Sequence, residues 1–279
     1  MNNNTRFELS FKNITQLENK LNFCKLNNIK NINIPCKGLI KKELFNSTID
    51  YISKNLPILD YSQIDNTTTT FAIIRHDVEF ILERAYDLAI LENELGVSST
   101  YFFQLRNNCY NVFSDKNINI IRKIDKLGHK IGLHAHMGAH KGNNITDYIL
   151  SEISTFEKFV GLTIDRFSFH RPTKEYLETN LKIDGVINAY GDKYFTLSDN
   201  LDNLDVTYLS DSNHKWKYGY PLDIDFSNVK KLQILVHPFS WTKTGYNNIN
   251  NFKVLLDEKI DELKASINLE INSFPQDLL

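Results

Sequence analysis

From residue 71 onward, short apolar segments alternate with longer segments of helical periodicity, and this alternation restricts the fold more than any other feature. Apolar runs rich in branched and aromatic residues occur at 71–78, 98–105, 130–136, 165–170 and 232–241. Segments with helical spacing occur at 82–96, 117–129, 145–161 and 252–271. Strands that alternate with helices of ten or more residues predict parallel βαβ units, and therefore a barrel or an open parallel sheet.

The first 70 residues have a less regular pattern than the rest of the chain. They contain one possible strand at 7–11 and helical spacing at 13–26 and 42–56. The sequence NTTTT at 66–70 follows them and is typical of a connection. We therefore expect an N-terminal α/β extension at 1–70, packed on a catalytic domain at 71–279.

Composition argues against several classes of partner. The 279-residue chain has a formal net charge of −2, which gives no electrostatic reason to expect nucleic acid or an anionic membrane. No apolar run approaches the roughly 18 residues of a membrane span. The N-terminus, MNNNTRFELS, lacks the apolar stretch of a secretory signal. The three cysteines are far apart and do not form a disulfide framework or a cysteine zinc site. These features predict a cytoplasmic protein.

Titratable residues stand where four of the predicted strands end. They are Arg75, His76, Asp77 and Glu79, then His134 and His136, then His170 and Arg171, and finally His237. The C-terminal ends of parallel strands lie on one face of an α/β fold, and active sites form there. Four of the eight histidines also fall within one stretch, GHKIGLHAHMGAH at 128–140. The pattern predicts a functional site, although Arg75 could simply neutralise the neighbouring carboxylates.

Spacing within two of these groups indicates a metal site. Asp77 and Glu79 are two residues apart, as are His134 and His136, so each pair points to one side of its strand. His140 is a second option, because it stands four residues after His136. Imidazole and carboxylate together suit zinc and other first-row divalent ions. The clustered histidines are therefore expected to supply metal ligands.

Six segments resemble, in order, the motifs of the polysaccharide deacetylase family, carbohydrate esterase family 4. They are IIRHDVEF, TYFFQL, GHKIGLHAH, FSFHRP, YLSDSNHKW and LVHPFSW, and they cover roughly residues 71–241. The most specific are GHKIGLH after a helix and LVHP near the end of the chain. The resemblance implies a deformed (β/α) barrel of roughly seven parallel strands. It also implies removal of acetyl groups from N-acetyl amino sugars with the help of a divalent metal.

The resemblance further implies roles for individual residues. It makes the carboxylates around Asp77 a catalytic base and a metal ligand, and it makes His134 a metal ligand. His237 would be the general acid that protonates the leaving amine, and Arg171 would steer the catalytic carboxylate. The expected substrate-binding residues are His170, Asp211, Trp216 and Trp241.

The chain departs from the family pattern at two places. Where the family has two adjacent aspartates, this chain has a histidine followed by Asp77, so that either Asp77 or Glu79 can be the base or the ligand. The family's second metal histidine would stand at position 138, which is a glycine, so His136 or His140 must replace it. The expected metal is zinc, with cobalt, nickel, iron and manganese as alternatives.

These expectations together describe a metal-dependent hydrolase that removes an acetyl group from an N-acylated amino sugar. The lack of an export signal favours a cytoplasmic glycan precursor, nucleotide- or lipid-linked, as the substrate. One alternative is a non-catalytic carbohydrate-binding or regulatory protein on the same fold, which the two departures favour. Another is a metal-dependent hydrolase of other small C–N bonds.

Overall fold

The computed structural model describes most of the chain, namely residues 7–8, 32–33, 41–140, 144–198, 204–214, 216, 218–241, 248–271 and 275. Its contacts define one compact unit at 45–241 and a second that combines 1–44 with 242–279. The predicted extension at 1–70 and catalytic domain at 71–279 remain predictions.

The described part of the second unit contains a strand pair and a long helix. Strands β1 (Phe7–Glu8) and β2 (Ile32–Asn33) pair in parallel, and a helix spans Asn248–Glu270. The helix predicted at 13–26 lies outside the described residues. None of the described helices combines the length and apolar character that a membrane crossing needs.

A seven-stranded parallel sheet forms the centre of the larger unit. Its strands are β3 (Phe71–Val78), β4 (Thr100–Phe103), β5 (Lys130–His136), β6 (Arg166–His170), β7 (Ile187–Asn188), β8 (Thr207–Ser210) and β9 (Lys231–Val236). They lie in the order β7-β6-β5-β4-β3-β9-β8, and each neighbouring pair is parallel. The sheet curls into a half-barrel, which confirms the predicted deformed (β/α) barrel.

Helices lie in four of the connections between successive strands, and three of them stand where the sequence periodicity predicts. They span Leu82–Glu94, Asp115–Lys126, Ile145–Val160 and Lys174–Glu178, and another, Lys41–Ser53, precedes the sheet. The third begins where the Asn144 side chain accepts hydrogen bonds from two backbone N–H groups, and it ends at Gly161 with φ 70°. Local capping residues therefore set the ends of this helix.

A buried ion pair ties the segment before β3 to the sheet. Arg166, at the start of β6, is fully buried and pairs with Asp60. Its Nη1 also donates to Thr100 Oγ1 at 3.0 Å, and its Nε donates to Asp165 Oδ1 at 2.7 Å. Asp60 in turn caps the short turn at 61–63 by accepting a hydrogen bond from the Ser62 N–H. The pair thus joins segments about a hundred residues apart in the chain.

Replacing Asp60 with asparagine should destabilise the fold at neutral pH but not in acid. Burial alone would raise the pKa of Asp60, but Arg166 outweighs burial and lowers it. The stabilisation is therefore present above the unfolded pKa near 4 and is lost as pH falls through the lower folded pKa. We expect Asp60→Asn to lose about 3 kcal/mol of unfolding free energy at pH 7, because breaking a buried pair leaves Arg166 with only partial compensation.

Urea unfolding of both proteins across a pH series measures this difference. The matched control is Asp50→Asn, which removes an exposed i,i+4 partner of Lys54 and should change stability little. A loss for Asp60→Asn that is no larger than the control's, or that persists undiminished in acid, would contradict the account.

Candidate active site

Polar side chains from four strands meet at the C-terminal edge of the sheet. Asp77 lies near the end of β3, with Glu79 directly after it, and His134 lies on β5. His170 ends β6, and His237 directly follows β9. The exposed fractions of Asp77, His134 and His237 are 2%, 1% and 9%. Convergence at the strand ends, expected from the sequence, is therefore present.

Glu79, His134 and His170 form a group that could hold a metal ion. One ligand atom of each lies within 4.8 Å of the others. His170 Nδ1 is 3.2 Å from His134 Nε2 and 3.2 Å from Glu79 Oε1. Burial lowers the pKa of His134 to about 4, so that its imidazole is neutral at neutral pH, as a metal ligand must be. Two imidazoles and a carboxylate fit zinc or another first-row divalent ion.

Ser168 fixes the ring of His134 from the neighbouring strand. It is fully buried, stands opposite His134 in the β5–β6 register, and places its Oγ 2.7 Å from His134 Nδ1. A partner on one ring nitrogen sets the tautomer and directs the other nitrogen toward the ligand group. No sequence motif assigns a role to Ser168, although its position two residues before His170 places it on the same side of β6.

Asp77 lies beside this group as an ionised carboxylate. Its Oδ2 accepts a hydrogen bond from Arg75 Nη2 at 2.9 Å and is 3.6 Å from His134 Nε2. Burial alone would raise the pKa of Asp77, but Arg75, His134 and His237 outweigh burial and lower it to about 2. Its Oδ1 is buried and has no hydrogen-bond partner within the described part of the chain. One oxygen of Asp77 is thus available to accept a proton.

His237 lies near Glu79 and is bound by Asp211. Its Nδ1 is 2.6 Å from Asp211 Oδ1, and its Nε2 is 4.0 Å from Glu79 Oε1. Burial alone would lower the pKa of His237, but Asp211, with Glu79 and Asp77, raises it to about 9. Asp211 also accepts a hydrogen bond from Trp241 Nε1 at 2.9 Å, which fixes the carboxylate. His237 can therefore present a proton on Nε2 at neutral pH.

His76, which replaces the first aspartate of the family pattern, faces away from the site. Its Nε2 is 2.7 Å from Glu92 Oε1 on the helix Leu82–Glu94. Glu92 is fully buried and also accepts hydrogen bonds from Ser99 Oγ at 2.6 Å and Tyr101 OH at 2.7 Å. Because side chains alternate along a strand, His76 packs beneath the helix while Asp77 points to the opposite face.

His136 and His140, which the sequence offered as alternative ligands, do not join the group of Glu79, His134 and His170. The His136 ring lies beside the His170 ring, with centroids 5.2 Å apart, and His140 packs against Tyr148 at 5.2 Å. The geometry favours His170, which sequence analysis had assigned to substrate binding, as the second imidazole.

The arginine that contacts Asp77 is not Arg171, which was expected to steer the catalytic carboxylate. Arg171 is exposed and has a left-handed backbone with φ 50° directly after β6. The guanidinium that contacts Asp77 belongs to Arg75, two residues earlier on the same strand. Arg75 and Asp77 thus form the ion pair that the sequence allowed for.

The two tryptophans expected to bind substrate line a small apolar pocket. Trp216 and Trp241 border it together with Phe45 and Ile74. Trp241 is buried, and its ring meets the Phe45 ring edge-on at 5.4 Å. Because Trp241 also binds Asp211, its clearest contact with the site is through the carboxylate that orients His237.

No family model matches the chain, and a search of curated proteins finds no match. Solved structures do match. The Xyl-CE4 domain of a multidomain xylanase from the hindgut metagenome of Trinervitermes trinervoides is 15% identical, over 71% of this chain and 84% of that one, with a TM-score of 0.40. A chitin deacetylase from Colletotrichum lindemuthianum is 14% identical, over 69% and 84%, with a TM-score of 0.40. A CE4 family pseudoenzyme from Bacillus anthracis is 12% identical, over 70% and 63%, with a TM-score of 0.38.

These structures come from the family that the motifs resemble. Their identities of 15% or less and TM-scores of 0.40 or less say nothing about the activity of this chain. Activity must therefore be argued from the side chains of the site.

Proposed function

We propose that this protein is a metal-dependent hydrolase that removes an acetyl group from an N-acylated amino sugar. The observation that carries the proposal is that an ionised carboxylate and a protonated imidazole border one group of metal-ligating side chains. Asp77 borders it at His134, 3.6 Å away, and His237 borders it at Glu79, 4.0 Å away. Perturbed titratable groups in opposite protonation states are typical of acid–base catalysis.

Geometry also supports different roles for the carboxylates of Glu79 and Asp77. Glu79 Oε1 lies within the ligand group, next to His170 Nδ1 at 3.2 Å. Asp77 instead has one oxygen bound by Arg75 and the other without a partner among the described residues. We therefore assign Glu79, His134 and His170 as the metal ligands and Asp77 as the base.

The reaction follows from the protonation states. When bound, the divalent cation supplies a Lewis acid that polarises the amide carbonyl and lowers the pKa of water. Asp77 Oδ1 takes a proton from the water that attacks the carbonyl carbon. His237 Nε2 gives its proton to the amide nitrogen as the C–N bond breaks, so that acetate and a free amine leave. Asp211 stabilises the imidazolium and keeps its Nε2 directed at the site.

Three finer parts of the proposal rest on the sequence expectations. They are that the metal is zinc, that the sugar is nucleotide- or lipid-linked, and that the protein acts in the cytoplasm. The donor set of two imidazoles and one carboxylate supports zinc but suits cobalt, nickel, iron and manganese as well.

Release of acetate from a panel of substrates tests the proposal. The panel contains N-acetylglucosamine in free, nucleotide-linked and oligomeric forms, with simple acetamides as the comparison. We expect acetate from an N-acetyl sugar, a fall in kcat on the order of 10³-fold after chelation, and recovery when zinc or cobalt is returned. Sugar binding without acetate release by metal-loaded protein would favour the non-catalytic alternative. Equal rates on simple acetamides would favour a general C–N hydrolase.

A further inference from the structure

Arg75 is a fully buried guanidinium on the concave side of the half-barrel, and three acceptors hold it. Its Nη2 donates to Asp77 Oδ2 at 2.9 Å and to Tyr190 OH at 3.0 Å, and its Nη1 donates to Gln233 Oε1 at 3.2 Å. The guanidinium carbon also lies 4.5 Å from the centroid of the Tyr190 ring and 5.5 Å from that of Phe102. A planar guanidinium that is bound at both Nη atoms and packed against two aromatic rings cannot rotate without losing several contacts.

The orientation of Gln233 is fixed independently of Arg75. Its Nε2 donates to the backbone oxygens of Ala189 at 3.1 Å and Tyr194 at 2.7 Å. Because only the amide nitrogen can donate to two carbonyl groups, Oε1 must face the guanidinium. Tyr61 OH donates to the same Oε1 at 2.9 Å. Gln233 therefore presents a rigid acceptor to Arg75.

Tyr190 is fixed as well. Its backbone N–H donates to the Asn188 side chain at 2.9 Å, and its ring stacks on the Phe169 ring at 6.2 Å with an interplanar angle of 13°. The hydroxyl that accepts from Arg75 Nη2 therefore belongs to a ring that packs against Phe169.

We propose that Tyr190 and Gln233 are positioning residues that hold Arg75 so that it fixes the Asp77 carboxylate in the geometry of the base, an inference that rests on the proposed function. Arg75 binds Oδ2 and leaves Oδ1 as the oxygen that takes the proton. Arg171, at the end of β6, is exposed and is not needed for this arrangement. Residues of β3, β9 and the segment after β7 thus hold the Asp77 carboxylate through Arg75.

A matched pair of hydroxyl deletions tests the proposal. Tyr190→Phe and Tyr101→Phe each remove one buried hydroxyl, but the Tyr190 hydroxyl accepts from Arg75, whereas the Tyr101 hydroxyl donates to Glu92, in the cluster that faces away from the site. We expect similar losses of thermal stability and unchanged zinc content in both variants. The kcat of Tyr190→Phe should fall on the order of tenfold with KM unchanged, because misplacement of a catalytic group costs up to about 10² in rate, while Tyr101→Phe keeps its kcat. Equal changes in kcat would overturn the proposal.

Arg75→Lys provides a second variant that keeps the charge. Lysine is a point charge and cannot reproduce the planar fork between Asp77, Tyr190 and Gln233. The kcat of Arg75→Lys should fall on the order of 10²-fold with zinc still bound. A wild-type kcat in Arg75→Lys would show that charge alone suffices and would overturn the positioning role.

Crystal structures of the tyrosine variants separate this inference from the proposed function. If the wild-type protein hydrolyses no N-acyl sugar, the proposed function fails and the structures alone decide the positioning role. Displacement of the Asp77 carboxylate in Tyr190→Phe, with Asp77 in place in Tyr101→Phe, would support that role. An unmoved Asp77 in both variants would overturn it.

Discussion

Replacing His237 with alanine should lower kcat on an N-acetyl sugar by on the order of 10²–10⁴, the usual contribution of a positioned proton donor. His237 is the group best placed to protonate the leaving nitrogen, because Asp211 holds its Nδ1 at 2.6 Å and raises its pKa. Without this proton the nitrogen would have to leave as an amide anion. The main cost therefore falls on the bond-breaking step.

Two controls distinguish loss of the acid from loss of the site. His237→Ala should retain its metal, because the proposed ligands lie elsewhere, with Glu79 directly after β3, His134 on β5 and His170 on β6. An activated acetyl ester or anilide should lose less activity than the sugar, because a better leaving group needs less protonation. Steady-state kinetics on both substrates, with metal content measured in parallel, provides the test. A near wild-type kcat on the sugar, or loss of metal, would show that the role is misassigned.

Most of the fold could be predicted from the sequence, because the patterns that indicate strands and helices are local. Apolar runs and helical periodicity indicate β3, β4, β5, β6 and β9 and the helices between them. Strands β7 and β8 have two and four residues, which is too short for a periodic pattern to stand out. Their places at the edges of the sheet follow from pairing, which no local pattern encodes.

The site was only partly predictable, because its decisive contacts are long-range. Strand ends indicated that Asp77, Glu79, His134 and His237 would lie together, since parallel strands share one C-terminal edge. The choice among histidines depends on the side-by-side placement of β5 and β6, where His136 pairs in register with His170. Spacing within one segment cannot show which of two such rings approaches Glu79.

The residues that contact Arg75 were even harder to predict from the sequence. Tyr190 and Gln233 stand 115 and 158 residues after it, and neither belongs to a recognisable motif around the site. Nothing in the local sequence distinguishes either residue from other residues of a buried segment. Such supporting contacts become visible only in three dimensions.

His134→Ala and His170→Ala should have the largest effects on metal binding. Each removes one of three protein ligands, so that each should weaken zinc affinity by more than about 100-fold, the upper cost of losing an outer hydrogen-bond partner. The matched controls are His136→Ala and His140→Ala, two histidines from the same region that lie outside the ligand group. Both controls should bind zinc within a few-fold of the wild-type protein.

Zinc affinity of these four variants, measured by competition with a chromogenic chelator at fixed pH, tests the central claim most directly. The account predicts strong loss in His134→Ala and His170→Ala and near wild-type affinity in His136→Ala and His140→Ala. Wild-type affinity in His170→Ala together with strong loss in His136→Ala or His140→Ala would place the metal on the other histidines and contradict the proposed site.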